Sequence, residues 1–508
     1  MRRRHLLAAL PVLALTGAAA LGVPAWVRRP SATPPPGGRF GLGVASGTPS
    51  AEGMVLWTRL TGPDLQGDVP VDWVLAEDEA FTRVVAQGQT LARADDAHSL
   101  RAEPQGLASD RVYWYRFEAL GERSPAGRTR TAPAAGAAVA AMRFVIASCQ
   151  RWDHGHWAAW RDAVEFEPDL VMFLGDYLYE GESPRWAPRR HEGGPCRTLA
   201  DYRARHAQYR SDPLLQAAHA VAPWVLTWDD HEVVNDYAGE LDPTRDPDFP
   251  ARRAAAYRAW WEHMPVPAAW RPAAHGLRLH HRLDWGALAR LHVADLRQYR
   301  DPQACPLPGR AGTNLVTPEG CPELADPARS MMGRAQERWL DEGWSLERPW
   351  NLLAQATLMA PFQRRGVIAS RVWTDGWEGY APARQRLLDT LAARRVPGAV
   401  VLSGDVHGHY VANLHARPND PSSPVLATEF CGTSISSRAR GVETVRDSLP
   451  LNPHVLLADA EHRGLVRFVL TPQQLQAELR TVVDIDDPVS ARRTRATFTV
   501  EAGRPGVS

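Results

Sequence analysis

Residues 170–180 read Leu170-Val-Met-Phe-Leu-Gly-Asp-Tyr-Leu-Tyr-Glu180, five apolar residues running into a glycine, an aspartate and two phenols. A short apolar run bounded by turn chemistry reads as a buried strand, and this one ends in groups that bind metal ions. Three other runs close in the same way. Met142-Arg-Phe-Val-Ile-Ala leads into Ser148-Cys149-Gln150, Trp224-Val-Leu-Thr leads into Asp229-Asp230-His231-Glu232, and Ala399-Val-Val-Leu leads into Gly404-Asp405-Val406-His407. One Gly-Asp or Asp-His pair is ordinary turn chemistry. Four clusters spread over about 260 residues, each at the C-terminal end of a strand, are the pattern of a site assembled along a sheet edge. Strands are expected at 144–147, 170–174, 224–227, 289–293, 352–354 and 399–402, alternating with helical stretches such as 157–166 and 383–394. That alternation indicates an α/β or α+β catalytic domain over residues 142–500.

The chain has 508 residues, enough for two or more domains at about 150 residues each. Residues 39–133 carry short period-two segments, among them Val71-Asp-Trp-Val-Leu75 and Arg111-Val-Tyr-Trp-Tyr-Arg-Phe117. These suggest an immunoglobulin-like β-sandwich, followed by an Ala-rich linker. Hydrophobic residues at 44% and charged residues at 23% exclude a disordered polymer and a polytopic membrane protein. Basic and acidic residues balance at 58 each, with no Lys, so no global field draws the chain to nucleic acid or an anionic bilayer. No nucleic-acid-binding domain is expected, and any charged substrate must be held locally.

Residues 1–25 read as an export signal: Arg2-Arg3-Arg4, an apolar stretch to Val23, then a small-residue site at Val23-Pro24-Ala25. The adjacent arginines favour the twin-arginine machinery over ordinary secretion or an uncleaved anchor. An exported location, periplasmic or extracellular and at the cell surface, is expected, with no transmembrane helix in the mature protein. Of five cysteines, Cys305 and Cys321 bracket a Pro- and Gly-rich loop and are the expected disulfide, whereas Cys149 sits at a strand end.

The residue types explain the convergence. A phosphate ester repels an incoming nucleophile, and metal ions about 3.5–4 Å apart neutralise it and acidify a bound water. Asp176 is the candidate bridging carboxylate, with Asp230 and Asp405 as oxygen ligands and His407 as an imidazole ligand. Tyr179 and Cys149 would add a phenolate and a thiolate. Those two suit Fe³⁺, while the carboxylates suit Ca²⁺, Mg²⁺ or Mn²⁺.

In order and spacing these motifs resemble the PhoD family of alkaline phosphatases and phosphodiesterases. That family is related to the purple acid phosphatases among the calcineurin-like metallophosphoesterases. Phe40-Gly-Leu-Gly-Val-Ala-Ser-Gly47 through Val55-Leu-Trp-Thr-Arg59 carries the resemblance at the N-terminus. The four clusters carry it further on, with Asp295-Leu-Arg297-Gln-Tyr-Arg300, Asn351-Leu-Leu-Ala-Gln355 and Glu429-Phe-Cys-Gly-Thr-Ser-Ile-Ser-Ser437. The resemblance implies a sandwich of two mixed sheets flanked by helices. It implies Fe³⁺ at Cys149, Asp176, Tyr179 and His407, and one or two Ca²⁺ at Asp176, Asp230 and Asp405, with Mg²⁺ or Mn²⁺ as substitutes. Asn235 and Gln355 are further ligand candidates. Asp236 stands where the family usually has a second Asn, and Gln355 stands where related phosphatases have a His, which leaves it a ligand or a supporting group. His231 occupies the position of the group that assists the leaving alkoxide. Arg297 is expected either to fork onto substrate phosphate or to pair internally with an Asp. The implied activity is hydrolysis of phosphate monoesters or diesters. The alternative is a phospholipase D-like phosphodiesterase acting on phospholipid or teichoic acid.

Overall fold

Met142–Ala147, Leu170–Leu174 and Trp224–Thr227 lie side by side as parallel strands in the computed structural model, which describes residues 38–273, 276–366, 371–418 and 420–507. Ala289–Val293, Trp350–Thr357, Ala399–Gly404 and Val425–Cys431 form a second parallel group. Leu170–Leu174, Trp224–Thr227, Trp350–Thr357 and Ala399–Gly404 are buried at every position. Their uninterrupted apolar character reflects cover on both faces.

Alternation along the strands builds the layers. Phe144, Ile146, Met172 and Leu174 meet Leu291, Val293, Leu352 and Leu402 between the sheets. Val145, Val171 and Phe173 turn outward onto a helical layer with Trp160, Leu215 and Trp260. Leu353 and Val401 do the same beneath Leu340, Leu387 and Leu391. The catalytic region is therefore a sandwich of two sheets with helices outside. Each large apolar side chain buried in it contributes about 1.5–3 kcal/mol relative to exposure.

The first sheet has nine strands, in the spatial order Arg492–Glu501, Gln474–Val482, Gly464–Leu470, Met142–Ala147, Leu170–Leu174, Trp224–Thr227, Val44–Gly47, Val55–Arg59 and Ser99–Ala102. The second has seven, from His281–Trp285 at one edge to Val455–Asp459 at the other. Both are mixed. Residues 39–133 do not close into two sheets of their own. Val69–Ala76, Val84–Ala92, Val112–Ala119, Glu122–Arg123 and Gly127–Arg130 make a five-stranded antiparallel sheet. The opposing layer comes from the edge of the nine-stranded sheet, with Val44, Leu56 and Leu100 packed against Val71, Tyr115 and Phe117.

The chain beyond Val483 contributes the ten-residue strand Arg492–Glu501. Cys305 and Cys321 form the disulfide expected of them. Cys149, Cys196 and Cys431 are buried free thiols. The export segment expected at 1–25 lies outside the described residues. Among the described residues, no helix is long and apolar enough to cross a membrane.

Candidate metal centre

The parallel strands of both sheets end at one place, and the backbone there is unusual. Cys149, Asp176, Asp405 and His407 all have left-handed φ, between 53° and 65°. That conformation costs a non-glycine residue roughly 1–2 kcal/mol and persists where surrounding structure fixes it. The glycine of each Gly-Asp pair is required by close approach. A Cβ on Gly175 would lie 2.6 Å from Asp229 Cβ, and one on Gly404 2.4 Å from Ser148 Oγ.

Two buried glutamates fasten the strand ends. Glu232 accepts from the backbone N–H groups of Asp176, Tyr177 and Asp229 at 2.6–3.1 Å. Glu429 accepts from the backbone N–H groups of Met359 and Ala360 and from the Ser403 hydroxyl.

Ligand atoms of Cys149, Asp176 and His407 lie within 4.8 Å of one another, as do those of Asp176, Asp230 and His231. Asp176 belongs to both groups, as a bridging carboxylate would. Tyr179 joins the first: its hydroxyl donates to Asp176 Oδ2 at 2.7 Å, lies 3.2 Å from His407 Nε2 and accepts from Ser437 Oγ at 2.8 Å. Asp405 falls outside these groups, and its Oδ2 accepts from the Thr357 hydroxyl at 2.5 Å.

Burial dominates the electrostatics. It pushes the Asp176 and Asp405 carboxyls and the Cys149 and Tyr179 protons well up, and neighbouring carboxylates push the same way. Burial also holds His407 well below its ordinary value, with Arg463 adding to the effect. A site of this kind favours its acidic groups ionised only beside a cation. Asp176 Oδ1 fits that requirement, being buried with no hydrogen-bond partner. Thiolate, phenolate, imidazole and carboxylate together form a donor set suited to a trivalent transition metal beside a hard divalent one.

His231 Nδ1 is 2.7 Å from Glu180 Oε2, which leaves Nε2 for a partner in the site. Its ring lies over Tyr179 with centroids 4.1 Å apart. Burial disfavours the imidazolium, but Glu180, Asp230 and Asp176 outweigh it and hold His231 above its ordinary range. Glu180 correspondingly falls to about 2 despite its burial.

One expectation is corrected here, for Asn235, and two open alternatives are decided, against phosphate for Arg297 and against metal ligation for Gln355. Arg297 is 1% exposed and its guanidinium is occupied: Nε donates to Asp229 Oδ1 at 2.5 Å, and the fork donates to both oxygens of Asp375 at 3.0 and 2.9 Å. It pairs internally and has no free fork for phosphate. Gln355 turns its amide onto Thr357, and its carbonyl accepts from Thr357 N and Trp377 Nε1. It supports the threonine that bonds Asp405. Asn235 is exposed and meets the site through its backbone N–H, which donates to Glu180 Oε1.

The position beside it matters more. Asp236 forms a third group with Asp230 and Asp375, their oxygens again within 4.8 Å. The sequence marked Asp236 as a departure from the family pattern, while Asp375 has no apolar run before it to mark it. Asp229, next to Asp230, pairs with Arg297.

The sequence matches the family described as PhoD-like phosphatase over residues 144–479 and the PhoD-like phosphatase N-terminal domain over 27–133. Alkaline phosphatase D of Bacillus subtilis (strain 168) is 40% identical over 487 residues, spanning 92% of this chain and 82% of that protein. A solved structure described as the structure of PhoD superposes with a TM-score of 0.87 at 38% identity, covering 92% of each chain.

Proposed function

The chain belongs to the PhoD-like phosphatase family and is a phosphoesterase of that type, and from this premise we propose the following working site. Cys149, Asp176, Tyr179 and His407 hold Fe³⁺. Asp176, Asp230 and Asp405 hold Ca²⁺, with Asp236 and Asp375 as further oxygen donors beside Asp230. When bound, such ions neutralise the ester oxygens and acidify water.

The protein's own residues do the rest. Tyr179 gives up its bond to Asp176 on ionising, while Ser437 stays as its hydroxyl donor. His231, held protonated by Glu180, delivers a proton to the departing alkoxide. Arg297 keeps Asp229 and Asp375 ionised and in place. The chain is exported before it acts, through the twin-arginine machinery; Arg2 and Arg3 support this, and their replacement by Lys abolishes secretion if it is correct. The five-stranded sheet of residues 39–133 serves as an accessory β-layer packed on the edge of the nine-stranded sheet.

The buried, partnerless Oδ1 of Asp176 between two groups of ligand atoms carries this reading. Elemental analysis of purified protein should find iron and calcium. An Asp176→Ala variant should lose metal and several orders of magnitude in turnover. A folded Asp176→Ala enzyme with wild-type turnover overturns the assignment.

A further inference from the structure

A cleft opens beside Asp405, and two of its lining residues belong to the metal centre's surroundings. Thr357 bonds Asp405, and Val406 lies between Asp405 and His407. We propose that this cleft receives the organic group of the ester and selects flat, apolar groups that carry a negative charge of their own. The inference rests on the phosphoesterase reading and names its substrate class.

The walls supply the first half of that preference. Leu315 and Trp373 are register partners in a two-stranded sheet, Leu315–Val316 with Val372–Trp373, and both line the cleft together with Leu358 and Phe362. Leu315 is 39% exposed and Trp373 half-buried. An apolar surface left open beside a catalytic centre is complementary to an apolar substituent, and an indole adds stacking to the area it buries.

Charge supplies the second half. Arg364 and Arg371 both line the cleft, and neither has a hydrogen-bond or ion-pair partner among the described residues. Glu378 lines it too, and both the buried Arg384 and Arg364 act on its charge. Arg364, Arg371 and Arg384 against the single Glu378 leave excess positive charge where an anionic substituent would lie, and the forks of Arg364 and Arg371 suit carboxylate or phosphate.

The test compares kcat/KM of the metal-loaded enzyme on three esters: β-glycerophosphate, phenyl phosphate and 4-carboxyphenyl phosphate. Ratios taken against wild type cancel the intrinsic reactivity of the leaving groups. Trp373→Ala should lower both aryl esters roughly 5-fold relative to β-glycerophosphate, the scale of a lost aromatic contact. An Arg364→Ser/Arg371→Ser double variant should lower the carboxylated ester roughly 5-fold relative to phenyl phosphate and leave the phenyl-to-glycerol ratio unchanged, the scale of a solvent-exposed ion pair. Unchanged β-glycerophosphate turnover reports a folded, loaded centre. Should Trp373→Ala not fold, Trp373→Leu and the arginine pair read the same ratios. If the variants move all three esters equally, or not at all, the cleft does not hold the substituent. If the loaded wild type turns over none of them, the metal-centre reading falls and takes this inference with it.

Discussion

Replacing Arg297 by Met removes a buried cation and keeps a side chain of similar length. In the wild type the guanidinium bonds Asp229 through Nε, forks onto Asp375, and sits with Nη2 3.6 Å from Asp230 Oδ2. The substitution strands two carboxylates that are each 1% exposed. Breaking a buried pair on one side costs about 3–5 kcal/mol, which for a chain of this size lowers the unfolding midpoint on the order of 5 °C. The sign with pH follows from Asp375. Burial opposes its ionisation, but Arg297 and Arg300 outweigh burial and hold it at about 2 against an ordinary 3.8. That depressed value contributes stability above pH 4, lost as pH falls toward 2. The gap between wild type and variant is therefore widest at neutral pH and narrows in acid. Thermal unfolding from pH 3 to 8, with steady-state kinetics at pH 8, measures both effects. Turnover should fall as Asp230 loses its neighbour, and a second substitution, Asp375→Asn, should recover part of the lost stability. An Arg297→Met enzyme with wild-type unfolding and only a raised KM would mean that Arg297 grips substrate phosphate, and the internal pairing argued here would be wrong.

Glu180→Gln removes the carboxylate that supports the His231 imidazolium, so the basic limb of the kcat/KM profile should move to lower pH; an unmoved limb would separate His231 from proton delivery. Chelator-stripped protein should lose stability as pH rises above the ordinary carboxylate range. Asp176 and Asp405 are held protonated by burial in the folded state and ionise more readily in the unfolded chain. Melting curves at pH 5 and pH 8, with and without Ca²⁺, read this, and a stripped protein no less stable at pH 8 counts against it. Opening the Cys305–Cys321 bridge by double Ser substitution removes a cross-link of sequence separation 16, a loop-closure effect of roughly 3 kcal/mol. Because Leu315 and Val316 lie inside that loop, hydrogen exchange there should quicken, and unchanged protection would show that the pairing with Val372–Trp373 suffices alone.

The centre of both sheets could be read from the sequence because each strand there is apolar on both faces and stops at a residue with chemical function. Leu170–Leu174, Trp224–Thr227 and Ala289–Val293 coincide with the expected limits, while Trp350–Thr357 and Ala399–Gly404 run further at their ends. The outer strands were less visible. Arg492–Glu501 carries its inward face as Ala496, Phe498 and Val500 between threonines and arginines, a period-two signal among charges that resemble a solvated tail. Cys149, Asp176, Asp230 and His407 were identifiable as candidates because each lies two or three residues past its strand, and Tyr179 because it lies three residues after Asp176. Asp375 was not, since its role depends on Arg297 and Asp230 reaching it from other elements. Arg297 was ambiguous for the same reason: an arginine beside a site looks alike in sequence whether it meets a ligand or a neighbouring aspartate.

The order of strands in the nine-stranded sheet constrains how the protein is made. Val44–Gly47 leaves the ribosome early, yet one of its two neighbours, Trp224–Thr227, is synthesised about 180 residues later. Met142–Ala147 waits longer still for Gly464–Leu470. At about 5–20 residues per second, the early segments spend many seconds without their partners. The last strands seal an edge that the first half of the chain leaves open, so the native sheet is finished only after translation has passed residue 500. Nascent chains stalled short of that point should bind chaperones and be cut by proteases, while released chains resist both.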